Sequence, residues 1–340
     1  MWLVGRELHR IIDLHADIPA DIVKRRAIGE HQVLERYHLH KLRQGFVAAL
    51  IVPIWVESPY KPAAALKRGL QIADSLLEDL EESHSFRLVK THNELLDAEA
   101  EGKIGLILGA EGGEFIEDDL GLLRTFYRLG LRCFGLVWNE RNLIADGVDH
   151  TDDDRGLTEF GSQVIEELDR LRIILDLAHT TPKSFWDAVE VSKRPLIVSH
   201  TLTCKYLASN IKDTFHRTRP DDQLKAVASS GGIVGIYEVN MTGPSDIAKV
   251  PNLETYCDHI EYAVKVAGPE HVGLGPDFYD YFIEDLHSRP PYSFALVKGL
   301  ENHSKLGAVA AELSRRGLSN EEIRMITREN FVRVFKDIVG

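Results

Sequence analysis

The chain has 340 residues, with 40 Lys and Arg against 53 Asp and Glu, a net charge of −13 with His neutral. That acidic balance argues against nucleic acid as a partner, because phosphates are neutralised by clustered basic residues. No stretch is apolar enough for a bilayer span or a secretory leader, and Cys133, Cys204 and Cys257 lie too far apart for a disulfide framework or zinc knuckle, so a cytoplasmic protein with no membrane partner is expected.

Short β-branched runs alternate with longer segments of helical period, the pattern of βα units around a parallel sheet. The first strand is predicted at Ile11–Asp17. A polar stretch holding His31, His38 and His40 follows and reads as a solvated helical face. Val47–Trp55 is the second strand. A helix over Ala63–Glu82 comes next, its stripe made by Leu66, Leu70, Ala73, Leu76, Leu77 and Leu80. Strands at Ile104–Glu111 and Cys133–Asn139 precede a solvated turn at Asp152–Asp154 and a helix over Thr158–Leu171 with Thr158 as its N-cap. Ile173–His179 leads to a helix over Pro182–Val191, capped by Thr181 and opened by proline. Leu196–His200, Ile233–Val239 and Val272–Asp277 complete the strands; helices at Asp221–Ser230 and Leu253–Ala267 lie between them, and Glu321–Phe335 closes the chain.

Eight such strands over this length predict an α/β fold, a (β/α)8 TIM barrel: one domain over residues 1–340 with its core at about 11–335. Its active site belongs at the C-terminal ends of the strands. An open doubly wound sheet would place a glycine-rich turn after the first strand, and none is present.

Five of the apolar runs end in metal-ligand types. His15 and Asp17 share one face of the first strand, about 7 Å apart along the chain, a spacing that suits two ligands of one ion. Glu111 sits among glycines in Gly109-Ala110-Glu111-Gly112-Gly113. The other runs end in Asp176-Leu177-Ala178-His179, Val198-Ser199-His200 and Gly275-Pro276-Asp277. A single histidine at a strand end is most often a hydrogen-bonded core residue. Six carboxylate and imidazole groups at one barrel mouth repel and desolvate one another unless cations bind there. Oxygen and imidazole donors without thiolate favour zinc, with manganese, cobalt or iron as substitutes.

The motifs DLHAD, GAEGG, LDLAHT, VSHT and HVGLGPDF, in that order, resemble those of the membrane (renal-type) dipeptidase family, peptidase family M19, a branch of the amidohydrolase-like metal-dependent barrels. The resemblance runs from about Ile11 to Phe335 and includes GLTEFG at Gly156–Gly161 and ENFVRVF at Glu329–Phe335. It implies two zinc ions per chain. His15 and Asp17 would hold one, His179 and His200 the other, and Glu111 would bridge them. A hydroxide shared by the ions would attack the scissile peptide bond of a dipeptide, L-Xaa-D-Xaa included. Asp277 would act as general acid and base. Arg217, with Arg219 as near neighbour, matches the family's substrate-carboxylate arginine. Trp138 stands where the renal-type enzyme has a carbonyl-contacting histidine, as a pocket wall or a hydrogen-bond donor. Asn139, Arg141 or Asn142 could then supply oxyanion stabilisation beside the metal, and Tyr237 and Glu238, at the end of the seventh strand, could touch substrate. Asp13 and Asp176 are expected to orient ligands by hydrogen bonding. The family often dimerises, so a homodimer is a further expectation. The alternatives are another amide such as an N-acyl amino acid, a lactone, or a silent metal-binding barrel.

Overall fold

The computed structural model describes residues 10–204, 218–238, 240–242, 252–282 and 293–340. Eight parallel strands close on themselves: β1 (Ile11–Asp13), β2 (Val47–Trp55), β3 (Ile104–Glu111), β4 (Cys133–Gly135), β5 (Ile174–Asp176), β6 (Leu196–Thr203), β7 (Ile233–Ile236) and β8 (Val272–Leu274). Pairings of β2 with both β1 and β3, and of β8 with both β1 and β7, complete the ring. This is the (β/α)8 barrel that the sequence predicts, with every expected strand present.

A helix follows each strand: α1 (Ile18–Ala27), α2 (Ala65–Glu81), α3 (Leu120–Leu129), α4 (Glu159–Leu171), α5 (Pro182–Val191), α6 (Asp221–Ser229), α7 (Leu253–Ala267) and, after further turns, α8 (Asn330–Ile338). Their starts are chemical. Thr158 accepts from the Gly161 N–H, Thr181 from Ser184 and Asn252 from Thr255, each satisfying an amide that the helix itself leaves unmet. The expected single closing helix is divided: Asn320–Arg324 leads through a π-helical turn at Met325–Glu329 into α8. That wide turn marks where the chain swings under the barrel.

Strand alternation sorts the apolar side chains into two layers. Ile12, Leu14, Ala49, Ile51, Ile107, Cys133, Ile174, Ile197 and Ile233 fill the barrel interior, where Phe331 and Phe335 of α8 join them from the N-terminal end. Their neighbours Leu50, Leu106, Leu108, Leu175, Val198, Val234 and Leu274 face outward beneath the helices. Asn330, buried at the start of α8, donates to the Pro269 and Val272 carbonyls and fixes this plug against β8. With one end of the barrel filled, the polar strand ends face the other. Among the described residues no helix is long and apolar enough to cross a membrane.

Candidate metal centre

Local backbone features aim the strand ends. The β6 register slips between Val198 and Thr201, a bulge-like irregularity spanning Ser199 and His200. A side chain at Gly235 or Gly275 would overlap the Ser199 carbonyl oxygen, so only glycine lets β7 and β8 close against this bulge. His179 and Asp277 both adopt left-handed backbone, with φ of 62° and 57°. Such conformations cost of order 1–3 kcal/mol and persist where surrounding contacts impose them.

The six residues expected at the mouth converge. His15, Asp17 and Glu111 form one group of donor atoms lying within 4.8 Å of one another; Glu111, His179 and His200 form a second; His15, His200 and Asp277 form a third. Glu111 belongs to both of the first two groups, the position of a bridge. Its Oε1 lies 2.8 Å from His179 Nε2, 3.7 Å from His200 Nε2 and 3.6 Å from His15 Nε2.

Two observations say that this cluster suits cations. Among the described residues His15 Nε2 is buried with no hydrogen-bond partner, yet it faces Asp17 and Glu111 at 3.6 Å and Asp277 at 3.8 Å. These separations are too long for hydrogen bonds and short enough to share an ion. Then, Nδ1 of His179 lies 2.9 Å from Asn139 Oδ1, an acceptor, so that nitrogen carries the proton and Nε2 turns its lone pair toward Glu111 and His200. Nitrogen and oxygen atoms meeting at 2.8 Å repel unless a proton or a cation lies among them, and a metal ion would serve all three ligands at once. Burial alone would lower the His15 pKa, but Glu111, Asp17 and Asp277 together hold it well above the ordinary value. Burial likewise favours a neutral Glu111, and His15 and His179 hold its pKa well below the usual range.

The outer atoms of the ligands are held in place. Asp13 accepts from the His15 amide at 3.0 Å and pairs with His303 Nε2 at 2.9 Å. Asp176 accepts from the Ala178 and Ser199 amides, bracing the ends of β5 and β6. Ser199 Oγ lies 2.9 Å from His200 Nδ1. Asp13 thus braces the backbone at His15, and Asp176 braces the strand ends beside His179 and His200 rather than either ring.

Over residues 6–339 the chain matches the family described as membrane dipeptidase (peptidase family M19). The chain belongs to this family. A dipeptidase, verJ, of Clonostachys rogersoniana is 29% identical over 284 residues, 83% of this chain and 67% of that one. Among solved structures, the M19 metallo peptidase dipeptidase AC superposes with a TM-score of 0.83 at 24% identity, covering 97% of this chain and 99% of that one. A metallo peptidase from Rhodobacter sphaeroides, liganded with a phosphinate mimic of the dipeptide L-Ala-D-Ala, gives 0.83 at 23% identity with the same coverage. Membership makes the protein a metal-dependent hydrolase.

The M19 mouth departs from the sequence reading in its outer ring. Arg217 lies outside the described residues. Arg219 is buried, and its guanidinium donates to the Leu177 and Thr180 carbonyls at 2.6 and 3.0 Å and to the Thr180 hydroxyl and Gln223 Oε1. It thereby clamps the turn that carries His179. Asn139 holds His179, Arg141 is tied to Asp146 and Asp153, and Asn142 donates to the Leu136 carbonyl while accepting from the Ile144 and Ala145 amides. Each of the three thus has protein partners at the mouth, with Asn139 engaged through its carbonyl oxygen. The Trp138 ring lies 5.4 Å from Trp55 and 6.2 Å from His179 between centroids, and the Tyr237 ring is tilted against that of His200 at 5.6 Å. His38, expected on a solvated face, is buried and paired with Asp21 at 2.9 Å, because Asp21 of α1 faces inward.

Sequence reasoning missed Lys61, Glu114 and His303, whereas Glu238 was expected, with Tyr237, to touch substrate. Glu238 is buried just past β7 with neither carboxylate oxygen partnered among the described residues; burial, then Asp277, Asp280 and Glu301, push its pKa up to about 9. Glu114 alone carried a signal, lying three residues beyond Glu111 in the same glycine-rich motif.

Proposed function

We propose that this M19 protein is a binuclear zinc-dependent dipeptidase, acting on L-Xaa-L-Xaa and L-Xaa-D-Xaa substrates. The observation that carries the reading is the pair of donor groups sharing Glu111, with the buried, unpartnered His15 Nε2 in one of them. His15 and Asp17 would hold one ion and His179 and His200 the other, with Glu111 between. Bound there, the ions supply a Lewis acid for the scissile carbonyl and bring the pKa of water toward neutrality.

The remaining work falls to the chain. Asp277 takes the proton of the attacking water at a carboxylate oxygen and delivers it to the leaving amine nitrogen, whose bond to the carbonyl carbon breaks. Its left-handed backbone points that carboxylate toward His15 and His200 rather than along β8. Trp138, Trp55 and Tyr237 wall the mouth and exclude water, which strengthens electrostatic interactions inside. Arg217, in the stretch following β6, is the group proposed to meet the substrate carboxylate in a bidentate pair.

The test pairs metal content with turnover. Two metals per chain and hydrolysis of L-Ala-L-Ala or L-Ala-D-Ala, lost in Asp277→Asn while metal is retained, are expected. Two metals without dipeptide turnover would move the substrate to an N-acyl amino acid or lactone, the reading that Trp138 favours. Fewer than two after zinc loading would overturn the bridging role of Glu111.

A further inference from the structure

On the side of the mouth formed by the ends of β2, β3 and β4, a charged and aromatic cluster takes no part in the donor groups. Lys61 Nζ lies 3.2 Å from Glu114 Oε1, 3.1 Å from Glu140 Oε2 and 5.2 Å from the Trp138 ring centroid. Trp138 packs between this lysine and the ring of His179, and Trp55 stands in register with Glu111 on the neighbouring strand. The Glu114 carboxylate rests against Gly112, where any side chain would overlap it, one residue from the bridging position.

Two polar atoms of this wall are buried with no hydrogen-bond partner among the described residues: Glu114 Oε2, an acceptor, and Trp55 Nε1, a donor. One lysine against two glutamates leaves the cluster with an unbalanced negative charge, flanked by indole faces that attract cations. An unmet buried carboxylate oxygen is costly, and a ligand donor that meets it recovers that cost. Burial pushes the Glu114 pKa up, and Lys61 offsets this only in part.

We propose that Glu114 is a specificity-determining residue, whose unmet carboxylate oxygen receives a cationic nitrogen of the substrate beside Trp138. The inference rests on the dipeptidase reading and extends it. In the ring of strands β2 lies opposite β6, whose following stretch carries Arg217. A dipeptide whose carboxylate met Arg217, as proposed above, would present its amino-terminal end to the opposite side of the mouth, where Glu114 lies. The cation is then the free α-ammonium or a basic side chain of the first residue.

Binding and turnover separate these sources. In zinc-loaded Asp277→Asn protein, calorimetry would compare Ala-Ala, N-acetyl-Ala-Ala and Arg-Ala, with and without Glu114→Gln. Loss of a buried charge-assisted hydrogen bond should weaken the cationic ligand about ten- to hundredfold and leave the acetylated one unchanged. If the α-ammonium is read, Ala-Ala and Arg-Ala both weaken. If the side chain is read, only Arg-Ala does. Lys61→Met, which frees the second Glu114 oxygen, should tighten the same ligands, a change that simple loss of structure would not produce. With Asp277 intact, Glu114→Gln should raise KM with kcat little altered. Equal weakening of all three ligands, or none, overturns the assignment. If the wild type binds with this preference but hydrolyses no dipeptide, the subsite stands and the peptidase reading falls.

Discussion

His259 of α7 ties the fold to acid stability. Its Nδ1 receives the Thr203 amide at 3.3 Å and lies 2.8 Å from the Thr203 hydroxyl, at the end of the strand that carries His200. A backbone N–H can only donate, so Nδ1 must keep its lone pair, and a proton there would break the contact. Burial lowers the His259 pKa from 6.5 to about 4, with Asp258 opposing weakly. The unfolded chain protonates near the ordinary value and the folded one only near the depressed value. Between the two the unfolded state binds more protons, so stability falls as pH falls. Over the full window the loss is about 3 kcal/mol, and by about pH 5 it is already roughly 2 kcal/mol. Urea unfolding of wild type and His259→Gln at about pH 8 and pH 5 isolates the group, because other titrations cancel in the double difference. The variant should lose about 2 kcal/mol less than wild type across this range. Equal losses would refute both the depressed pKa and the fixed tautomer.

Three further outcomes follow from the same geometry. Asn139→Ala removes the acceptor that orients His179 and should weaken one of two metals about tenfold to a hundredfold, read by chelator competition; unchanged affinity at both positions would return Asn139 to the substrate wall. Arg219→Leu strips the turn at His179 of its clamp, and the same competition should show a selective loss at that metal; an equal loss at both would mean general unfolding instead. Asn330→Ala leaves the Pro269 and Val272 carbonyls short of a donor at the closed end of the barrel, so about 2–4 kcal/mol of stability should disappear with metal affinity intact.

The barrel was legible because its strands are uninterrupted apolar runs, and each run changes character where it emerges at the mouth. Leu14 and His15 are adjacent, yet one packs the interior and the other meets carboxylates, and the sequence marks that boundary by residue type. What escaped it depends on partners far along the chain. Asp13 meets His303 across 290 positions, and His38 is buried only because Asp21 of a different element turns inward to it. Arg219 and Asn139 have the right chemistry for substrate contact. Only their hydrogen bonds show that Arg219 clamps the turn at His179 and that Asn139 Oδ1 meets the His179 ring. Sequence allows Trp138 to be either wall or donor, and only the structure sets it beside Lys61 and Trp55.

The buried histidines show why composition alone could not separate ligand from core. His38, His259 and His303 are as buried as His15, and each has a ring nitrogen met by Asp21, Thr203 or Asp13. Those contacts join helices and loops to the barrel and are complete without a ligand. His15 Nε2 differs in kind: among the described residues it is buried, unpartnered, and surrounded by three carboxylates beyond hydrogen-bond reach. A fold gains nothing by leaving one nitrogen unmet while collecting anions around it, since both the orphaned atom and the mutual repulsion cost stability. Cation binding removes both costs at once. The same reasoning gives Glu114 its weight, because its unmet oxygen stands a short step from the same centre and calls for a donor that the described residues do not supply.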